Sequence, residues 1–395
     1  MEQTNKTRSI LKRLYKNMVQ ADAFITSSKK SSSFYKLNIV KITNKSQVPK
    51  PANFNSNSFP EQIRLHIDDT ATYVLSYTFS LFNRSIKIKF IVEDLNPELH
   101  LELYNSYVDK MLQWLYIINE HASNKCSKEL TVFLYFTSMK KRLPTSSISV
   151  LDQLNVNTAF TTTCPVNSEI VVFRYEEWFK VFIHETFHNF ALDFSDMNTD
   201  ECTKHILQIF PVMSEVNLFE AYTEFWAVIM NSLFCSYAIL NDKSNVDEFL
   251  SNSEFFINFE RTFSFFQMVK VLNFMGLRYQ DLYSTTRYST VARNTLYKEN
   301  TNVLAYYVIK LIMLNNYQGF LSWCVNNNSN ILQFDKNPVK LTEFCRFIER
   351  NYKTQSLLNG AYCTEGFLHK FKKMSKTKDI DYLLNSTKMT IAELG

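Results

Sequence analysis

Glycine is nearly absent from this chain: five occur in 395 residues, and the first is Gly276. Average usage is roughly 7%. Glycine lets a chain turn through left-handed backbone and lets phosphate approach the main chain. Residues 1–275 therefore contain neither a GxGxxG turn nor a P-loop, which excludes the usual dinucleotide and nucleoside-triphosphate enzymes over that length. Barrels and sandwiches dense in tight hairpins are disfavoured on the same ground. With 34 Phe, the chain points instead to helices and thick aromatic packing. Apolar residues at 46% and charged residues at 21% match an ordinary globular protein.

The seven cysteines (126, 164, 202, 235, 324, 345 and 363) include no CxxC pair, and no apolar leader follows Met1. The expectation is free thiols in a reducing, intracellular compartment. The longest apolar stretch, 218–240, carries Glu220 and Glu224, and carboxylates at mid-membrane are costly. No transmembrane segment is expected. Charge is uneven: residues 1–50 hold eleven Lys/Arg against two acids, while the whole chain is at +5. A stretch such as LKRLYKNMVQ suits a solvated basic helix, or contact with nucleic acid, an acidic partner or a membrane surface. Residues 27–33 and 42–60 are polar and read as loop or linker. The expected organisation is a basic, partly flexible segment over 1–55, an α+β part over 56–195 and a helical part over 196–395.

Two-residue alternation marks strands at QIRLHI (62–67), at YVLSYTFSLF and SIKIKFIVE around a hairpin at Asn83–Arg84, at 130–136, at 157–163 and at 169–173. A helical spacing follows Pro97, and from about Arg174 nearly every segment reads as helix, including 175–192, 214–240, 246–275, 301–316 and 339–352. Strands followed by helices predict an α+β fold with two lobes.

One motif is specific. Residues 181–190 read VFIHETFHNF, an HExxH formed by His184, Glu185 and His188. One helical turn separates the two imidazoles, so both reach one metal, and Glu185 lies beside them where it can act on a water. The plain alternative is two satisfied histidines on an amphipathic helix. Zinc needs a third protein ligand and an open position. The metzincin pattern fails, because Ala191 and Phe194 stand where it requires Gly and His. Asp193, Asp196 and His205 are conceivable third ligands. The better one lies in NLFEAYTEFWAV (217–228), where Glu220 and Glu224 are one turn apart among Phe219, Phe225 and Trp226. Burying such carboxylates without a partner is costly. A water-exposed helix face is the other reading of this pair.

HETFH followed 32 residues later by EAYTE resembles the gluzincin branch of the zincin metallopeptidases. The resemblance is specific over about 157–230. It implies a sheet ending in an edge strand above the active helix, for which NTAFTTT is the natural segment, though an internal strand fits equally. It further implies that His184, His188 and Glu220 bind Zn2+, that Glu185 is the general base and that Glu224 supports a histidine ligand. Phe219 replaces the asparagine that often precedes the family's ligand glutamate, and the missing glycines rule out an aminopeptidase-type GxMEN loop. The transition-state donor is open among Tyr288, Tyr306, His205 and His369. The composition and the wording HETFHNFALDFSDM are also similar to uncharacterised HExxH proteins of large DNA viruses, which implies a virion-associated or protein-processing role.

The expected function is a zinc metallopeptidase that hydrolyses a protein or peptide substrate by Glu-assisted attack of a zinc-bound water. Its rivals are a structural or scaffolding protein on a zincin-like frame, and a nucleic-acid-binding protein acting through residues 1–50.

Overall fold

The computed structural model describes residues 2–30, 34–374 and 377–394. Of the expected 27–33 loop, residues 31–33 lie outside that range. The fold is α+β: one six-stranded mixed sheet accompanied by fourteen α-helices among the described residues.

Strand order is β1-β2-β3-β4-β6-β5. The alternating segments form the antiparallel hairpin β2 (Tyr73–Leu81) and β3 (Arg84–Val92). With no glycine at hand, its turn puts the left-handed residue at Phe82, φ 53°. β4 (Glu129–Phe136) and β6 (Asn167–Val172) join β3 in parallel, as buried strands reached by crossovers do. β5 (Ala159–Thr161) pairs antiparallel with β6 and ends the sheet, so NTAFTTT supplies an edge strand. β1 (Lys36–Lys41) forms the opposite edge beside β2.

Two expectations are corrected. QIRLHI is not a strand but part of the helix Glu61–Thr70. Ile63 and Ile67 satisfy both periods, and the neighbouring Leu65 is left 58% exposed. Pro60 and Glu61 start the helix, whose Ile63 and Ile67 join Phe133, Tyr135 and Val171 of the sheet in a second, smaller core. Residues 1–55 are likewise not a partly flexible segment. They hold β1 and the helix Asn5–Ser28, which buries Leu11, Leu14, Met18 and Ile25 in the main core and keeps Lys12, Arg13 and Lys16 outside. Charge counting misses the i, i+3, i+4, i+7 stripe inside the basic run. This helix is gripped by distant chain: Thr4 N donates to Gln318 Oε1 at 2.7 Å, and Arg8 pairs with Asp247 at 3.2 Å.

The cysteine expectation also fails at one pair. Cys126 and Cys164 form a disulfide across 38 residues with their Cα atoms 4.5 Å apart. Sequence spacing carries no sign of it, because the fold brings the loop before β4 against the loop after β5. Cys202, Cys235, Cys324, Cys345 and Cys363 are free. No helix of the described residues is long and apolar enough to cross a membrane.

Candidate metal centre

The HExxH motif lies on the helix Trp178–Asn189, which follows β6 directly and is buried along its whole length. Its end is a Schellman motif: Leu192 N donates to Phe187 O at 2.8 Å, and Ala191 N donates to His188 O at 3.0 Å. Ala191 takes the left-handed position usually given to glycine, φ 54°. Trp114 Nε1 donates to Thr186 Oγ1 at 2.6 Å and fixes the face away from the motif. The second carboxylate pair lies on the helix Leu218–Ala238, with Glu220 in its first turn. That helix is apolar nearly all round and packs against the HExxH helix inside the core.

Three donor atoms converge between the two helices. His184 Nε2 is 3.1 Å from His188 Nε2 and 3.1 Å from Glu220 Oε2, and His188 Nε2 is 3.4 Å from the same oxygen. A tetrahedral ion with donors at about 2.0–2.2 Å spaces neighbouring donors roughly 3.3–3.5 Å apart. Among the described residues this is the one His/Cys/Asp/Glu group with the spacing to hold a metal ion.

What lies behind the rings decides their tautomers. His184 Nδ1 is 2.9 Å from Glu224 Oε2, and His188 Nδ1 is hydrogen-bonded to Asp193 Oδ2. A carboxylate can only accept, so each Nδ1 carries the proton and, in the neutral rings, each Nε2 turns its lone pair to the shared point. Two lone pairs facing each other at 3.1 Å repel unless a proton or a cation lies between them. The donor set therefore fits a divalent transition-metal ion.

The electrostatics agree. Burial pulls both histidines down, but Glu220 and Glu224 leave His184 raised, and Asp193 and Glu220 leave His188 well above its ordinary value. Burial pushes Glu220 up and is outweighed by the two imidazoles, leaving it lowered. Glu224 is held at about 2 against its burial by Lys180 and His184. Lys180 Nζ reaches Glu224 Oε1 at 2.7 Å from one turn upstream of His184, and both members of that pair are buried. Glu185 differs from the other carboxylates. Its oxygens have no hydrogen-bond partner among the described residues, it faces a cavity of about 800 Å3, and burial raises its pKa.

The sequence candidates separate cleanly. His184, Glu185, His188 and Glu220 share this cavity, and Glu224 lies directly behind His184. Tyr306 lines it too, its hydroxyl donating to Glu220 Oε2 at 2.9 Å. Tyr288 is 77% exposed, His205 pairs with Glu349 at 3.2 Å, and His369 lines a different cavity. Asp193 is a partner of His188 and no ligand, while Asp196 pairs with Lys336 at 2.7 Å. Lys180 is the residue sequence reasoning passed over. Its signal was a single lysine in an otherwise apolar helix, four residues before His184.

No family model, curated protein or solved structure matches this chain. The reading of the site stands on its own geometry.

Proposed function

We propose that the chain is a zinc-dependent metallopeptidase of gluzincin type. One observation carries the reading: two imidazoles and a carboxylate from separate helices meet at tetrahedral spacing, each imidazole locked from behind by a carboxylate, beside a glutamate with no other partner. His184 Nε2, His188 Nε2 and Glu220 would hold the ion. A zinc ion held there would supply Lewis acidity, polarising a carbonyl oxygen and acidifying water.

The remaining steps belong to the chain's own side chains. Glu185 takes a proton from the attacking water at its free carboxylate and returns it to the leaving amine, and its raised pKa suits an acid–base group. Tyr306 stands beside the centre with its hydroxyl on Glu220 Oε2, from which it would turn to donate to a developing oxyanion. Glu224 and Asp193 keep the two rings in the ligating tautomer, and Lys180 holds Glu224 ionised. β5 borders the same cavity through Ala159, Phe160 and Thr161, leaving an edge on which an extended peptide can pair.

The test is elemental analysis of the purified chain together with peptide cleavage by wild type and Glu185→Gln. The expected result is one zinc per chain in both proteins, with cleavage lost by roughly 100-fold or more in the variant. A chain that holds zinc yet cleaves nothing across a broad peptide library would move the assignment to a structural or scaffolding role.

A further inference from the structure

Apart from the donor triangle, the cavity has an electrostatic character of its own. Among the described residues no Lys or Arg lines it, while Glu215 and Glu299 stand in its wall in addition to Glu185 and Glu220. A divalent ion offsets the charge of Glu185 and Glu220 and leaves the other two carboxylates unbalanced. The field inside a low-dielectric cleft then favours cations and opposes anions.

Glu299 is the more informed of the pair. It belongs to a segment fixed across one end of the cavity: Asn300 N donates to Leu151 O at 2.8 Å, and Thr301 Oγ1 donates to Asn157 Oδ1 at 2.8 Å. Glu299 Oε2 accepts from Leu304 N at 2.9 Å, and the neutral hydroxyls of Ser214 and Tyr297 lie beside the carboxylate. Neutral donors satisfy a carboxylate's lone pairs but leave its charge uncompensated, and a cationic ligand would compensate it. Burial also raises the Glu299 pKa, the direction expected of a carboxylate lacking a countercharge. Glu215 is exposed in the adjoining loop 211–217 that leads into the Glu220 helix, where Asn217 Nδ2 donates to Asn302 Oδ1 at 2.9 Å.

We propose that the cavity selects peptides bearing a lysine or arginine side chain, read by Glu299 in its wall and reinforced by the exposed Glu215 in the adjoining loop. The inference rests on the peptidase reading of the same cavity, but its test does not need turnover. Blocked hexapeptides that differ only in one central residue, arginine, norleucine or glutamate, are titrated against the Glu185→Gln chain by fluorescence anisotropy, with and without zinc. The expected order is arginine tighter than norleucine by roughly three- to fivefold, the worth of one partly screened ion pair, with glutamate weakest. Adding Glu299→Gln should remove most of that preference. Equal binding of the three peptides, or a preference untouched by both Glu299→Gln and Glu215→Gln, overturns the inference. Should Glu299→Gln fail to fold by circular dichroism, Glu215→Gln in the exposed loop decides in the same sense, with a smaller loss. Cleavage of the same peptides by wild type keeps the two readings apart. Cleavage without charge preference sinks charge selection and leaves the peptidase standing, while preferential binding without cleavage does the reverse.

Discussion

Behind His188 the contact that matters is Asp193, a residue whose place in the chain suggested a ligand. The backbone leaves the HExxH helix through the left-handed Ala191, and this brings Asp193 back under the ring it has just passed. Its other oxygen accepts from Ser195 N at 3.2 Å and from Ser195 Oγ at 2.9 Å, so the carboxylate is held on both sides. Removing such a support should loosen the metal without removing a ligand. Asp193→Ala is expected to weaken zinc affinity about 10- to 100-fold, measured by competition with a chelator while circular dichroism stays unchanged. At Ala191 the expectation runs the other way. Glycine has no Cβ penalty at φ 54°, so Ala191→Gly should stabilise the chain by about 0.5–1 kcal/mol in urea unfolding; a loss would mean that the alanine methyl matters more than the turn. The scarcity of glycine has thus been absorbed locally. Among the described residues six non-glycine residues, Ala191 included, take left-handed φ, and four of them, Cys164, Glu177, Ala191 and Val216, flank β5 or the two helices of the metal centre. How much of the site was legible follows from range. His184 and His188, or Glu220 and Glu224, are one turn apart and read directly from the sequence. Lys180 with Glu224, and Asp193 beneath His188, depend on how two helices and a loop dock, which no local spacing encodes.

Among the elements, strands with clear alternation and long apolar helices were readable, and those whose residues fit two periods were not. Ile63 and Ile67 serve a strand or a helix equally until Pro60 and Glu61 are given weight. β1 was hidden because LNIV among lysines resembles a linker, and its edge position needs only one apolar side. The long helix Val246–Phe274 shows what burial does to an isolated charge. Lys270 is buried, and its Nζ donates to Leu383 O at 2.7 Å and also to Ser386 O. Burial lowers its pKa from 10.5 to about 7. Between those values the unfolded chain carries the proton and the folded chain does not. Stability should therefore rise as pH goes from about 7 towards 10.5. Lys270→Met, which has nothing to titrate, should flatten this part of the profile when urea midpoints are compared at neutral and alkaline pH. A slope unchanged in the variant would show that another group drives it.

For the molecule as a whole, one continuous apolar core runs from Ile10 to Met389, so the basic N-terminal helix is structural before it is anything else. Its buried Leu11, Leu14, Met18 and Ile25 are worth about 1.5–3 kcal/mol each, a sum comparable to the roughly 5–15 kcal/mol that keeps a typical domain folded. Deleting residues 2–28 is therefore expected to give no cooperatively folding protein by thermal denaturation. By contrast, Lys12→Glu, Arg13→Glu and Lys16→Glu together, all on the exposed face, should shift stability by no more than about 1–2 kcal/mol. That triple variant, and not a truncation, is the fair probe of any polyanion contact along this face. An α+β fold was readable from the order of strands then helices. The depth to which residues 5–28 are built into it was not, because their partners lie from 91 positions away, at Gln113, to more than 200, at Asp247 and Gln318.

The grip on that helix also sets an order of events. The back half of the helix docks on Leu101–Asn119, where Gln113 Nε2 donates to Asp22 and Phe24 packs on Tyr116, but Thr4 and Arg8 find their partners only at Gln318 and Asp247, so its first turns are seated only once those residues have emerged from the ribosome. Throughout that interval Tyr15, which packs on Tyr237 and Phe249, stays uncovered inside a cationic segment. Holding it apart from its neighbours is work for a chaperone, and yields from rapid overproduction should fall short of what the finished fold can sustain.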